Sequence, residues 1–241
     1  MIKQLINFVF DLFFPPSCLG CQKAGLFVCE DCFNSIEKTK IQLCPVCRKK
    51  SQYGATCSLH KTYLDGLIVV APYYQNNALV QKMIKRFKYK FNKDLVYYLS
   101  KLMVNEIKKY PFLQNATLVP VPLHFLRQWQ RGFNQADYLA KSITQNNNNL
   151  SVRNLLKRTK YTSKQALLNR EQRLKNVINA FTVKNKSNLS TSSNIIIIDD
   201  IATTLSTINE CAKVLKLNGF KNKIWGMVIA RGGGIIEPRI Y

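Results

Sequence analysis

From Leu67 onward the apolar positions fall into short blocks whose spacing switches between that of a strand and that of a helix. Leu67–Tyr74, Ala116–Leu123, Phe181–Val183, Ile195–Ile198 and Ile224–Ala230 are compact runs rich in β-branched or aromatic residues, which predicts strands. Helical spacing covers Asn77–Tyr89, Lys93–Lys109, Asn134–Gln145 and Thr207–Leu217, the last closed by Gly219. Ile195–Ile198 has no polar face, so it belongs in the middle of a parallel sheet covered on both sides. Strands alternating with helices predict a doubly wound α/β domain, whose ligands sit beyond the carboxyl ends of its strands. Asn146–Asn149 is a polar low-complexity loop.

Before Leu67 neither period holds, and cysteine takes over. Seven of the eight cysteines and one of the two histidines form four like pairs: Cys18 with Cys21, Cys29 with Cys32, Cys44 with Cys47, and Cys57 with His60. Two residues between ligands let a tight turn aim both side chains at one tetrahedral ion, which for thiolates points to zinc. Four turns supply two closed, structural sites. Chain order suggests Cys18, Cys21, Cys29 and Cys32 on one ion and Cys44, Cys47, Cys57 and His60 on the other; an interleaved arrangement is the alternative. A disulfide framework is the less favoured reading, since the opening residues do not read as a cleavable signal and disulfides are rare in the cytosol. A segment this short has too little core to fold alone, so metal binding is expected to stabilise it and chelation to unfold it first. Cys211, left without a cysteine partner, reads as a small buried apolar side chain. Met1–Phe14 is apolar, carries Lys3 and Asp11, and is too short to span a bilayer. It predicts a helix packed on the rest of the protein, with a peripheral membrane foothold as the alternative.

Composition changes this picture in one respect. With 46% hydrophobic residues the chain has material for a real core and is not of the disordered class. Its 36 basic and 13 acidic side chains leave a formal charge of +23, which points to polyanions: nucleic acid, phosphorylated ligands or an acidic membrane surface.

Directly beyond Ile195–Ile198 stand Asp199 and Asp200, then Thr203, Thr204, Leu205, Ser206 and Thr207 at the start of a helix. A loop feeding a helix N-terminus presents unpaired N–H groups and the positive end of the dipole, a cradle for phosphate. The hydroxyls of Thr203, Thr204, Ser206 and Thr207 add donors. The two carboxylates are suited to accept from a ribose diol or help hold magnesium. Taken singly, a Ser or Thr before a helix is an ordinary cap. Their conjunction after a buried strand describes a ribose 5-phosphate site.

The segment from Ile195 to Thr207 resembles the phosphoribosyl pyrophosphate (PRPP) loop of type I phosphoribosyltransferases. Three further stretches are similar to the ComF family of competence-associated, amidophosphoribosyltransferase-like proteins. They are Val119 to His124 followed by Arg131 to Gln135, Arg158 through Gln165, and Arg173 to Asn176 with Phe181. The cysteine pairs and their Pro15-Pro16 lead-in resemble that family's double zinc ribbon. The resemblance spans nearly the whole chain. It implies a lead-in over 1–17, a double zinc ribbon over 18–62, and over 63–241 a phosphoribosyltransferase-like α/β domain, a parallel sheet with helices on both faces. It also implies a part in natural transformation: handling incoming single-stranded DNA in the cytoplasm, or peripherally at the inner membrane beside the DNA-uptake machinery. No transmembrane segment is expected. Asp199 and Asp200 become the implied catalytic pair, and Thr203 to Thr207 the loop for PRPP bound with magnesium. Leu205 departs from the family, whose loops have glycine there; a left-handed backbone at a residue with a Cβ costs about 1–2 kcal/mol. An active transferase with an unknown acceptor, and a scaffold with a relic site, both stay open.

Between Lys157 and Lys175 there are seven basic residues against one acid, Glu171. The resemblance places this stretch where phosphoribosyltransferases carry a mobile loop, making Arg158, Gln165, Arg170, Arg173 and Asn176 contacts for pyrophosphate or nucleic acid. A guanidinium fork grips phosphate oxygens in pairs. A solvated helix capped by Asn169 is the structural alternative. Lys85 to Phe91 interleaves cations with aromatic rings, and so do Arg127, Trp129 and Arg131. Single-stranded nucleic-acid binders use this chemistry, which adds Lys88, Arg127 and Arg131 to the contact set; rings buried in a core are the plainer reading. His124, beside a proline-rich turn, is expected to be a hydrogen-bonded loop residue.

Overall fold

The computed structural model describes residues 16–73, 77–89, 92–161, 177–185 and 193–232. The expected helix over Met1–Phe14 and the contact residues Gln165, Arg170, Arg173 and Asn176 lie outside the described residues. In chain order the elements are α1 (Glu30–Asn34), β1 (Gly66–Tyr73), α2 (Ala78–Tyr89), α3 (Lys93–Ile107), β2 (Thr117–Pro120), α4 (Phe125–Arg131), α5 (Gln135–Gln145), β3 (Ser151–Val152), β4 (Leu156–Arg158), β5 (Phe181–Val183), β6 (Ile195–Ala202), α6 (Ser206–Leu217) and β7 (Ile224–Arg231). Five strands form one sheet in the order β1-β7-β6-β2-β3, every pair parallel. Among the described residues no helix is long and apolar enough to cross a membrane.

The isoleucine run of β6 explains the layering. Its four residues are fully buried, and alternate ones enter different cores, as the period of a strand requires. Ile196 and Ile198 join Met83 and Phe87 of α2, Leu99 of α3 and Leu139 of α5. Ile195 and Ile197 join Ile208, Cys211 and Leu215 of α6, together with Leu156 and Phe181. Helices therefore cover both faces, and the α/β class expected from the pattern is the one adopted.

Besides the short elements α1, β3 and β4, which no apolar run announced, three features differ from the pattern. β6 does not stop at Ile198, because β7 runs on beside it and pairs Asp199 with Val228, Ile201 with Ala230 and Ala202 with Arg231. Phe181–Val183 leaves the main sheet and pairs antiparallel with β4. The short helix α4 follows β2, where no helical period was evident.

The cysteine-rich segment is docked on the sheet. β1 is an edge strand, and its outer groups are taken up by the ribbon: Gln42 Nε2 donates to Val69 O at 3.0 Å and Val69 N donates to Gln42 Oε1 at 3.1 Å. Thr39 N donates to Val70 O at 2.9 Å. An edge closed in this way offers no template for another chain. Val28, Phe33 and Ile36 enter the core shared with α2 and α3, and Arg231 Nη2 at the end of β7 donates to Pro45 O at 2.6 Å.

Candidate functional site

Adjacent residues on a strand face opposite sides, and this separates the two acids. Asp200 shares the face of Ile198 and is 5% exposed. Lys88, at the end of α2, brings its Nζ to 2.9 Å from Asp200 Oδ2. Burial works against charge on Lys88, yet the charge and hydrogen bond of Asp200 outweigh it and raise the ammonium's pKa. Asp199 shares the face of Ile197, toward α6. Its Oδ1 accepts from Asp200 N at 2.8 Å. Burial, and then the neighbouring charge of Asp200, push its carboxyl up to about 7, against the pull of Lys88.

Cations from separate elements surround this pair. Arg131, on α4, senses Asp200 and Arg127; burial and Arg127 lower its pKa. Arg158, on β4, senses Asp199 and is lowered by burial and again by Arg127. Like charges held together at the carboxyl end of a buried strand favour an anion between them. Of the basic contacts expected from the sequence, Lys88, Arg131 and Arg158 thus act on Asp199 or Asp200, and Arg127 lies near enough to Arg131 and Arg158 to repel both.

The loop from Thr203 to Leu205 joins β6 to α6. Leu205 has φ −72° and ψ −10°, an ordinary right-handed conformation, so the cost of a left-handed leucine does not arise here. Its side chain packs against the core on the α6 side. No side chain caps α6, while Thr204 Oγ1 and Ser206 Oγ lie 2.7 Å apart. The end of β7 borders the loop: Gly232 N donates to Ala202 O at 2.9 Å. A Cβ at Gly232 would come within 3.0 Å of Thr203 Cγ2. His124 is buried and caps α4, its Nδ1 accepting from Leu126 N at 3.3 Å. Cys211 is fully buried, and burial pushes its thiol well above the usual range.

The raised carboxyl of Asp199 has a measurable consequence. Its folded-state value of about 7 exceeds the ordinary 3.8, so between those limits the folded chain holds more protons than the unfolded one. Stability from this group therefore falls as pH rises through the window. Asp199→Asn is expected to melt above the wild type at pH values over 7, with the gap closing as pH approaches 4. Thermal melts of both proteins across that range check it; a gap that does not change with pH would contradict the assignment.

The cysteines make two clusters in chain order, not interleaved. The sulfurs of Cys18, Cys21, Cys29 and Cys32 all lie within 4.8 Å of one another, and so do those of Cys44, Cys47 and Cys57. His60 Nδ1 stands 3.0 Å from Cys57 Sγ but is not among the donors gathered within 4.8 Å of one another. The 3.7 Å separations of Cys18 from Cys29 and of Cys44 from Cys57 match tetrahedral edges built on Zn–S bonds of about 2.3 Å. Burial opposes ionisation of Cys18, but amide donors from Cys29, Cys21 and Gly20 outweigh it and lower the thiol to about 6. Both clusters fit structural zinc.

Together these parts define a double-zinc-ribbon protein that carries a parallel α/β domain with an acidic pair at the end of its central strand. A family model described as a double zinc ribbon domain matches residues 9–59. The chain is 29% identical to competence protein F of Haemophilus influenzae, over 90% of this chain and 99% of that one. It is 26% identical to competence protein ComFC of Bacillus subtilis, over 80% and 79% of the two chains. It is 28% identical to DNA utilization protein YhgH of Escherichia coli K12, over 80% and 85%. The resemblance to the ComF family read from the motifs thus holds along most of the chain.

Proposed function

We propose that this chain works in DNA uptake, handling incoming single-stranded DNA on the cytoplasmic side of the inner membrane, and that its α/β domain binds a phosphoribosyl ligand of the PRPP type. The convergence of Lys88, Arg131 and Arg158, from three different elements, on the acids at the end of β6 carries the ligand half of this reading. The names of the relatives, competence protein and DNA utilization protein, support the DNA half.

In this reading the amides and hydroxyls from Thr203 to Thr207 receive the 5-phosphate, favoured by the dipole of α6. Asp199 and Asp200 accept from the ribose hydroxyls. Arg131 and Arg158 face the pyrophosphate, where bound magnesium would add neutralisation of the leaving group. Carboxylates held near the sugar stabilise positive charge that develops there as pyrophosphate departs. A second reading, ligand binding without turnover, is favoured by the Lys88–Asp200 ion pair, which already engages one of the two acids.

Calorimetry with magnesium and PRPP tests the site. The wild type is expected to bind, and Asp199→Ala combined with Asp200→Ala to weaken binding by about 100-fold or more, since hydrogen bonds to charged groups contribute about 1.5–3 kcal/mol each. Zinc content of the double variant should match the wild type. Equal affinity in the two proteins would defeat the proposal. Release of pyrophosphate over time separates the transferase from the binding-only reading.

A further inference from the structure

Helix α4 buries none of its residues. Its apolar side chains stand in solvent instead: Trp129 is 83% exposed and Phe125 69%, with Leu126 exposed beside them. A folded chain rarely leaves an indole and a phenyl ring open together, and such patches mark interaction surfaces. Two more exposed rings border this helix. Tyr161 lies across His124, whose ring centroid is 4.6 Å from Phe125 and 5.2 Å from Tyr161. Tyr89, 78% exposed, closes α2 near enough to Arg131 to act on it electrostatically. Arg127 and Arg131 alternate with these rings in sequence but lie on the other, half-buried side of the helix, and α4 contains no acid.

We propose that the exposed face of α4, with Tyr161 beside it, is a stacking platform for the bases of single-stranded nucleic acid, whose backbone passes the flank of the helix where Arg127 neutralises a phosphate. The proposal rests on the DNA-handling reading above and gives it a place on the molecule. Charge complementarity selects the occupant: a chain of net charge +23 displays rings and guanidinium groups together on one short helix. Spacing selects a single strand. Phe125 and Trp129 are four residues apart on one helical face, about 6 Å along the axis. Bases in a duplex step by about 3.4 Å and present no open faces between steps, so these rings suit bases that are already splayed. A membrane-surface helix would need a longer apolar face than this one, in which Gln128 and Gln130 are also exposed.

The chain has two tryptophans, and Trp225 is buried, so emission from the exposed Trp129 reports stacking directly. Full-length, zinc-loaded protein titrated at low salt with a thymidine oligonucleotide of about 20 residues is expected to show quenching. By anisotropy with the same labelled strand, Trp129→Ala should bind about 10-fold more weakly, and Phe125→Ala with Trp129→Ala about 100-fold, with an unchanged salt slope. Arg127→Gln should instead flatten that slope by about one phosphate. Melting temperatures within a degree or two of the wild type would show that the variants are folded, as expected for solvent-exposed positions. Wild-type affinity in Trp129→Ala overturns the platform and leaves the DNA reading standing; no oligonucleotide binding by the wild type at low salt overturns both. Equal affinity for a duplex, or binding to anionic phosphatidylglycerol vesicles but not to the strand, overturns the assignment to a single strand.

Discussion

Removing zinc is expected to unfold residues 18–60 and to loosen the sheet edge they cover. Structural zinc contributes about 10–16 kcal/mol per site in small finger peptides, far more than the few buried side chains of this segment can supply. The ribbon's own contribution to the common core is Val28, Phe33 and Ile36. Without metal, the sulfurs of each cluster, which lie within 4.8 Å of one another, have no ion to bridge them. Loss of the ribbon also releases Gln42 from Val69 and leaves β1 as an open edge. Metal analysis should find two zinc ions per chain. After treatment with a strong chelator, hydrogen exchange should rise throughout 18–60 and at the Val69 amide, while the amides of β6 stay protected. Undiminished protection in 18–60 after the metal is gone would show that packing alone holds the ribbon.

Lys88→Met is expected to destabilise the α/β domain by about 3–5 kcal/mol, the usual cost of stripping one partner from a buried ion pair. Asp200 is 5% exposed, and the Lys88 ammonium lies 2.9 Å from its Oδ2. For a chain of this size the loss corresponds to a melting temperature lower by roughly 10 °C. Methionine keeps the length and apolar stem of lysine, so the packing of α2 changes little and the effect isolates the charge. Adding Asp200→Asn to Lys88→Met removes the stranded carboxylate and should restore most of the loss. Calorimetric melts of the single and double variants check both statements. A single variant that melts with the wild type would mean that Asp200 draws its compensation from Arg131 instead.

The main strands and helices were legible because their signals are local. The isoleucine run at Ile195–Ile198 is fully buried in mid-sheet, and Phe181–Val183 begins and ends where the pattern put it. Each cysteine pair needs only the turn that contains it, so the assignment of Cys18 to Cys32 to one cluster and Cys44 to Cys57 to another could be anticipated from order. Helix α4 was not legible, for a physical reason: periodicity detects a buried face, and α4 has none. The run of β6 through Ala202 depends on β7 continuing beside it, which is information carried by a different part of the chain.

The acidic pair shows the same division. Residue types and their position after a buried strand marked Asp199 and Asp200 as a candidate site, and spacing marked the two cysteine clusters. The chain alone could not reveal that the two carboxylates face opposite sides of the strand, that Lys88 crosses from α2 to hold Asp200, or that Arg131 acts on Asp200 and Arg158 on Asp199. Backbone period and turn geometry act over a few residues and can be read from order. Charge pairing and sheet register act across distance, and only the packed sheet brings those side chains together.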